Sequence, residues 1–430
     1  MKSLLIKNGM VVTQNPKRHV FRGDILIEKG KLAKVGKVNE SADQVIDASG
    51  DIVLPGLINT HTHVAMAIMR GIADDMPFDQ FLEKVFAADA KREAKDIDIG
   101  ARLGCLELIR SGTTTFVDLY YSEDIIAKVV ENSGLRGVLC WAVLDQRFTT
   151  QKGVPLQNCK HFHASHKGKE KIIPGVGLQG VYVCSEETFM ASKEFALAQG
   201  ALLHFHLSET RKEVYEHKEA TGRRPAEWLE SIGFLGPQCL AAHCAWLTVN
   251  EVKALARSKT SIASCPVSNM KLATGGVAPI PEMLAEGVNV SLGTDGCSTN
   301  NSLDLLGEMK TLCLLQKSSR WDPTVCSAQQ VLDFTTINAA KAIGMGDELG
   351  SIEVGKRADI IILDGKAPNL RPLNEWNVIS NIVYSTHAGN VKTSICGGEI
   401  LMLDRKIMTL DEERILEDSQ AMANELLERC

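Results

Sequence analysis

Apolar positions in this chain fall into two kinds of run. At the start they form short β-rich stretches, 3–6, 24–28 and 31–35, broken by Gly23, Gly30 and Gly36. Stretches 358–363 and 391–396 look alike, with Gly355, Gly365 and Gly397-Gly398 as turns. Between these ends, short apolar runs alternate with helical stretches, the order of βα units and a parallel sheet. Eight strand candidates fall there: 52–59, 113–118, 137–143, 172–178, 201–206, 239–243, 261–265 and 288–292. Helical stretches such as 98–110 and 187–198 follow most of them. Eight such units predict an α/β fold of the (β/α)₈ TIM-barrel type. The rival, an open doubly wound sheet, would place a G-x-G-x-x-G after the first strand, and none stands there. The β-rich ends predict one small β-sandwich domain from 1–54 and 350–405. The barrel then spans 55–349, and 406–430 holds a C-terminal helix, its pattern clearest over 411–429. Segment 145–171 is polar, contains Pro155 and several Lys and His, and reads as a long loop over one barrel face.

Composition narrows the class. The chain has 430 residues, 44% hydrophobic and 23% charged, with a net charge of −6. That is enough chain to bury a large core without disulfides. No basic block stands out, which argues against nucleic acid as a partner. No apolar run is long enough to cross a bilayer. The first ten residues are charged and lack a secretory apolar core, so a cytoplasmic protein is expected. The twelve cysteines are scattered and form no C-x-x-C pair. They read as small buried hydrophobes in a reducing compartment.

The informative feature is where polar residues collect. In barrels of this kind the active site lies at the C-terminal ends of the strands. Strand one ends in Thr60-His61-Thr62-His63. Residues two apart on a strand share a face about 6–7 Å apart, so both imidazoles can grip one ion. Strand five gives His204-Phe205-His206-Leu207-Ser208-Glu209. Its two histidines share a face, and either could be a third ligand. His206 lies nearer the open end and is favoured, leaving His204 as a deeper barrel-lining residue. Glu209 follows on the loop, where a carboxylate can reach substrate. Strand six ends in His243 and strand eight in Gly293-Thr294-Asp295-Gly296. Alone, His243 would be a core residue and Asp295 a turn or helix cap. Four strand ends carrying such residues together point to a metal site. Three His and one Asp with an open position suit Zn²⁺, with Fe²⁺ or Mn²⁺ as alternatives. Such a cation makes hydroxide accessible near neutral pH by lowering the pKa of water to about 7.

These motifs resemble the amidohydrolase superfamily, in its cytosine- and adenosine-deaminase-like branch. The resemblance rests on Pro55-Gly56-Leu57-Ile58-Asn59-Thr60-His61-Thr62-His63, His206-Leu207-Ser208-Glu209-Thr210, Ala242-His243-Cys244, Ser264-Cys265-Pro266-Val267-Ser268-Asn269-Met270-Lys271-Leu272 and Gly293-Thr294-Asp295-Gly296. The stretch 350–359 looks like the family's return into its β-domain. The likeness is strongest to the 5-methylthioadenosine/S-adenosylhomocysteine and 5′-deoxyadenosine deaminases. It implies that His61, His63, His206 and Asp295 bind the metal. It also implies that Glu209 shuttles a proton to the ring nitrogen, that His243 orients and polarises the attacking water, and that Asp295 passes that water's proton towards the leaving ammonia. Binuclear barrel hydrolases usually bridge their metals with a modified Lys on strand four. Segment 172–178 has none, so one metal is expected.

The substrate side differs from the family. Phe81 stands where relatives often have Trp, Asp89 where they have Glu, Gln179 where they have His, Thr299 where they have Ser, and Trp141 where some have Arg. Asp89 is expected to hold sugar hydroxyls, and Trp141 to give poor grip on a charged 5′ tail. The expected reaction is hydrolysis of the 6-amino group of a 5′-modified adenosine, with ammonia released. Rivals are deamination of guanine, cytosine or a pterin, and hydrolysis of triazines. A non-catalytic metal protein would need neither Glu209 nor His243. The expected partner is a small nucleoside or heterocycle, and the sequence leaves a homo-oligomer open.

Overall fold

In the computed structural model, which describes residues 3–429, the chain builds two sheets that meet at one glycine. Met1 and Lys2 of the N-terminal segment and Cys430 of the C-terminal segment lie outside the described residues. The expected first strand, 52–59, is two strands. Ile52–Pro55 belongs to the sheet made by the chain ends, and Leu57–His63 opens the barrel. Gly56 turns the chain between them against strand two, where an added Cβ would lie 2.3 Å from Thr114 Oγ1.

The barrel strands after Leu57–His63 are Thr113–Tyr120, Arg136–Val143, Ile172–Leu178, Leu203–Leu207, Cys239–His243 and Ser261–Ser264. Each pairs in parallel with the next. Strand eight is broken. Val290–Leu292 pairs with strand seven, while Asp295–Gly296 pairs with Thr62–His63 of strand one and closes the ring. Gly293 makes the crossing, because a Cβ there would lie 2.5 Å from the Cβ of His61. Strand eight was expected over 288–292. Its second piece is too short to carry any alternation in sequence.

One end of the barrel is filled. Ile58, Val117, Val138, Cys140, Leu240 and Ala263 pack with Ala339, Ala340 and Ala342 of the short helix Ile337–Ala342. Polar strand ends are therefore gathered at the opposite, C-terminal end.

The second sheet contains Leu4–Val12, Val20–Glu28, Lys31–Gly36, Gln44–Asp47 and Ile52–Pro55 from one chain end. Ile360–Leu363, Val391–Cys396, Glu399–Leu403 and Lys406–Ile407 come from the other. The halves join where Ile52–Pro55 pairs antiparallel with Ile360–Leu363, and their apolar faces share one core. Lys406–Ile407, expected to lie with the C-terminal helix, finishes this sheet by pairing with Glu399–Leu403. The helix itself is Glu412–Arg429. It is tied to the helix Ala94–Arg110 by Lys95–Glu425 (2.6 Å) and Arg429–Asp96 (2.7 Å).

Segment 145–171 is not a long loop. It contains the helix Pro155–His166, with Pro155 in the first turn. Pro155, Cys159, Phe162 and His163 are buried and recur at helical spacing. The polar residues between them gave the segment its loop-like composition. The eleven described cysteines are all buried and unpaired, as expected of small hydrophobes. Among the described residues no helix is long and apolar enough to cross a membrane.

Candidate metal centre

Four barrel strands send histidines or an aspartate into one cluster at the C-terminal mouth. The ligating atoms of His61, His63 and His206 lie within 4.8 Å of one another, and so do those of His61, His243 and Asp295. Each imidazole is oriented from behind. His63 Nδ1 donates to the Leu119 carbonyl (2.6 Å), and His206 Nδ1 donates to that of Gln179 (2.9 Å). His61 Nδ1 meets His204 Nε2 at 2.7 Å. His243 Nδ1 faces Asn269 Oδ1 at 3.3 Å.

With hydrogen on Nδ1, the bare Nε2 atoms of His63 and His206 face each other at 3.4 Å. Asp295 Oδ1 stands 3.2 Å from His63 Nε2 and 3.5 Å from His61 Nε2. His61 Nε2 is buried and has no hydrogen-bond partner. Acceptors crowded this closely repel unless a positive centre lies among them, and a buried unpaired nitrogen is costly. The donor set fits a divalent cation of the zinc type.

Electrostatics agree. Burial pushes His61 down to about 4, and burial with neighbouring imidazoles pushes His206 well down, so both keep lone pairs at neutral pH. Burial opposes the charge of Asp295 also, but the adjoining imidazoles of His61, His63 and His243 outweigh this and hold it well below the carboxylate range. Burial lowers His63, yet Asp295, Asp118 and the Leu119 carbonyl raise it on balance. The same negative groups attract a cation.

The backbone is bent to make this mouth. Ser208, His243, Cys244 and Asp295 all have positive φ, at 49°, 68°, 53° and 66°. Non-glycine residues there cost about 1–3 kcal/mol each and persist where the surroundings over-determine them. Asp295 is held by Ser268 Oγ (2.6 Å), which donates to its Oδ2, and its Oδ1 takes the Gly296 N–H (2.7 Å).

A model of the amidohydrolase family matches residues 52–401. The chain belongs to that family. Over 435 residues, all of this chain, it is 44% identical to a 5′-deoxyadenosine deaminase of Methanosarcina mazei, of which 99% is covered. It is 41% identical over 423 residues to a 5-methylthioadenosine/S-adenosylhomocysteine deaminase of Moorella thermoacetica, with 96% and 97% of the two chains covered. Among solved structures, an adenosine deaminase of Xanthomonas campestris with bound zinc superposes with a TM-score of 0.95 at 27% identity, covering 99% of this chain and 98% of that one.

In this amidohydrolase, Glu209 and His243 adjoin the cluster, with Glu209 Oε2 3.8 Å from His243 Nε2. Burial raises the Glu209 carboxyl, against the lowering pull of His243. Phe81 is buried on the helix Phe78–Asp89, stacked near Phe78. Asp89 ends that helix and accepts from Arg92 Nη1 (3.2 Å) and from the Tyr120 hydroxyl, both on Oδ1. The Gln179 side chain donates to the Tyr182 hydroxyl at 3.2 Å, and its carbonyl is the one that holds His206. Thr299 Oγ1 donates to the Gly296 carbonyl (2.8 Å) in the turn after Asp295.

Trp141 is not brought to the mouth. It packs on Phe162, ring centres 5.8 Å apart, and its indole N–H donates to Gln151. Its neighbour Cys140 lies in the barrel-interior core, so strand alternation turns Trp141 outward against the helix Pro155–His166.

Sequence reasoning assigned no role to four supporting residues. Ser268 and Asn269 position Asp295 and His243, and the strand-seven motif that contains them was their signal. Glu213 accepts the N–H groups of Ser208 (2.9 Å) and Glu209 (2.8 Å) and so shapes the loop that carries Glu209. Its signal was the Thr210-x-x-Glu213 helix-start pattern. Asp118 accepts from Thr62 Oγ1 (2.6 Å) and Val64 N (2.7 Å) around His63. Burial pushes Asp118 up to about 6, with Thr62 and His63 pulling the other way.

Proposed function

We propose that this chain is a metal-dependent aminohydrolase that converts the 6-amino group of a 5′-modified adenosine to a 6-oxo group and releases ammonia. The convergence of His61, His63, His206 and Asp295 on a buried nitrogen without a partner, beside Glu209 and His243, carries the reading. Support for the substrate class comes from the full-length likeness to deaminases of 5′-deoxyadenosine and methylthioadenosine.

The chemistry needs water, an amino-substituted ring and two proton movements: one C–O bond forms, the C–N bond breaks, and ammonia departs. A divalent cation, most simply zinc, held by His61, His63, His206 and Asp295 supplies Lewis acidity that brings the pKa of water to about 7. The chain's own residues do the rest. Glu209, its carboxyl raised by burial, holds a proton for the ring nitrogen beside the attacked carbon. His243, fixed through Asn269, orients the attacking water. Asp295, gripped by Ser268, accepts that water's proton and passes it towards the departing nitrogen. Phe81, Gln179 and Thr299 supply the rim, and Asp89 a carboxylate for sugar hydroxyls. The domain division is proposed as 1–54 with 350–405, 55–349 and 406–430, with Pro55 and Lys406–Ile407 lent across those bounds to the small sheet.

Ammonia release should be measured with 5′-deoxyadenosine, methylthioadenosine, S-adenosylhomocysteine, guanine, cytosine and a pterin. The first two are expected to be turned over fastest, with one metal per chain by elemental analysis. Much faster turnover of guanine, cytosine or the pterin would overturn the substrate assignment, and two essential metals would overturn the mononuclear site.

A further inference from the structure

Below the cluster lies a buried imidazole that the chemistry above leaves unused. His204 sits two residues before His206 on strand five and is fully enclosed. Its Nδ1 lies 2.9 Å from the Leu240 carbonyl of strand six, and its Nε2 lies 2.7 Å from His61 Nδ1 of strand one. A carbonyl oxygen only accepts, so the hydrogen of His204 is on Nδ1. A neutral imidazole carries one such hydrogen, so its Nε2 is an acceptor. The hydrogen in the 2.7 Å contact therefore comes from His61 Nδ1. His61 is left with its lone pair on Nε2, the buried atom without a partner that faces the cluster.

His63 and His206 reach the same tautomer by donating straight to main-chain carbonyls. A carbonyl cannot change roles, and no substitution removes it. His61 alone among the three histidines is set by a side chain. The two rings meet at 69° with centres 4.9 Å apart, so the contact fixes the plane of His61 as well as its tautomer.

We infer that His204 is a positioning residue for the metal centre, relaying the Leu240 carbonyl to His61 and thereby setting the site's affinity for its cation. This rests on reading His61 as a ligand. Partners behind metal-bound histidines are typically worth about 10–100-fold in metal affinity.

The test is zinc affinity, read by chelator competition on the full-length protein, with melting of the metal-free protein as a fold control. His204→Leu fills the space without an acceptor and is expected to weaken zinc at least about tenfold. His204→Gln offers one acceptor and one donor and should recover most of that loss. Unchanged zinc affinity in His204→Leu would overturn the inference while leaving the proposed function intact. Failure of the unmodified protein to bind zinc would overturn both. If neither variant folds, ¹⁵N imidazole spectra of the unmodified protein decide. Hydrogen on Nδ1 of both His204 and His61 supports the relay, and hydrogen on Nε2 of His204 refutes it.

Discussion

The barrel buries a polar cluster at each end, and the two are built on opposite terms. At the base, Arg136 opens strand three and is wholly enclosed. Its guanidinium donates to Thr115 Oγ1 (2.9 Å) and to both oxygens of Asp359, which stands where the chain returns to the second sheet. The Gly397 N–H fills out the same carboxylate at 2.8 Å. Donors meet acceptors and opposite charges meet, with only Arg136 Nε lacking a partner. At the mouth, acceptors meet acceptors: imidazole nitrogens and a carboxylate oxygen at 3.2–3.5 Å, one of them with no partner. Burial of charge is common to both. Crowding of acceptor against acceptor marks the mouth and not the base, and it separates a site built to hold something else from one built to hold itself.

The sharpest way to break this comparison acts on the mouth. Glu209 stands at the edge of the cluster, 3.8 Å from His243, and is assigned to proton transfer rather than ligation. Glu209→Gln keeps the shape and removes the transferable proton. Turnover should fall by about 10²–10⁴-fold, the usual contribution of such a group. Zinc content should stay at the unmodified level. Near-normal turnover would remove Glu209 from the chemistry, and loss of zinc would make it a ligand.

The base answers to stability instead. Arg136→Met should cost about 3–5 kcal/mol at neutral pH, because it strands a buried carboxylate. KM and kcat of the folded fraction should stay within about twofold. The pH dependence gives a sign to check. Burial opposes the charge of Asp359, but Arg136 and Gly397 hold the carboxyl below its ordinary value. A depressed carboxyl contributes stability above the unfolded pKa of about 3.9 and loses it as pH falls through the folded value. Without Arg136 burial dominates and the shift reverses, so acid relieves the strain. The stability gap between the two proteins should therefore narrow as pH drops from 7 towards 4. A gap that widens over that range would show that the pair is not what holds the base.

How much was legible in sequence follows from how local each signal is. His61, His63, Glu209, His243 and Asp295 were readable because strand ends are marked by the apolar runs before them. His204 and His206 share a parity, so alternation alone could only favour one, and the choice needed the strand's direction and end. The helix Pro155–His166 escaped because its buried face, Cys159, Phe162 and His163, is narrow among Lys, His and Gln. The break in strand eight escaped because Gly293 works through a close approach to His61, which is far away in sequence. Arg136 and Asp359 are 223 residues apart, and nothing local announces either. Trp141 was placed by likeness to relatives when its strand parity, opposite to that of Cys140, already turned it outward.

The smallest effect is expected at Asp89, which combines the two behaviours. Both hydrogen bonds to its carboxylate, from Arg92 and Tyr120, fall on Oδ1, a pairing like that at the base. Arg92 is itself anchored on the Ala65 carbonyl (2.6 Å) just past the strand-one histidines. Tyr120 follows Leu119, whose carbonyl holds His63. The helix that ends at Asp89 is thus tied to the metal side of the mouth. With Oδ1 so engaged, Oδ2 is the oxygen proposed to meet a sugar hydroxyl. Asp89→Asn keeps the size and an acceptor on one side but loses the charge. A charge-assisted hydrogen bond contributes about 1.5–3 kcal/mol, so KM for methylthioadenosine should rise by roughly ten- to a hundredfold. Glu209 and His243 are untouched, so kcat should move by no more than about threefold. Melting temperature provides the control, since loosening of Arg92 and Tyr120 would lower it. If KM stays put while melting drops, Asp89 belongs with the base, as a residue that only holds the fold. If KM rises while melting is unchanged, its second oxygen belongs to the substrate.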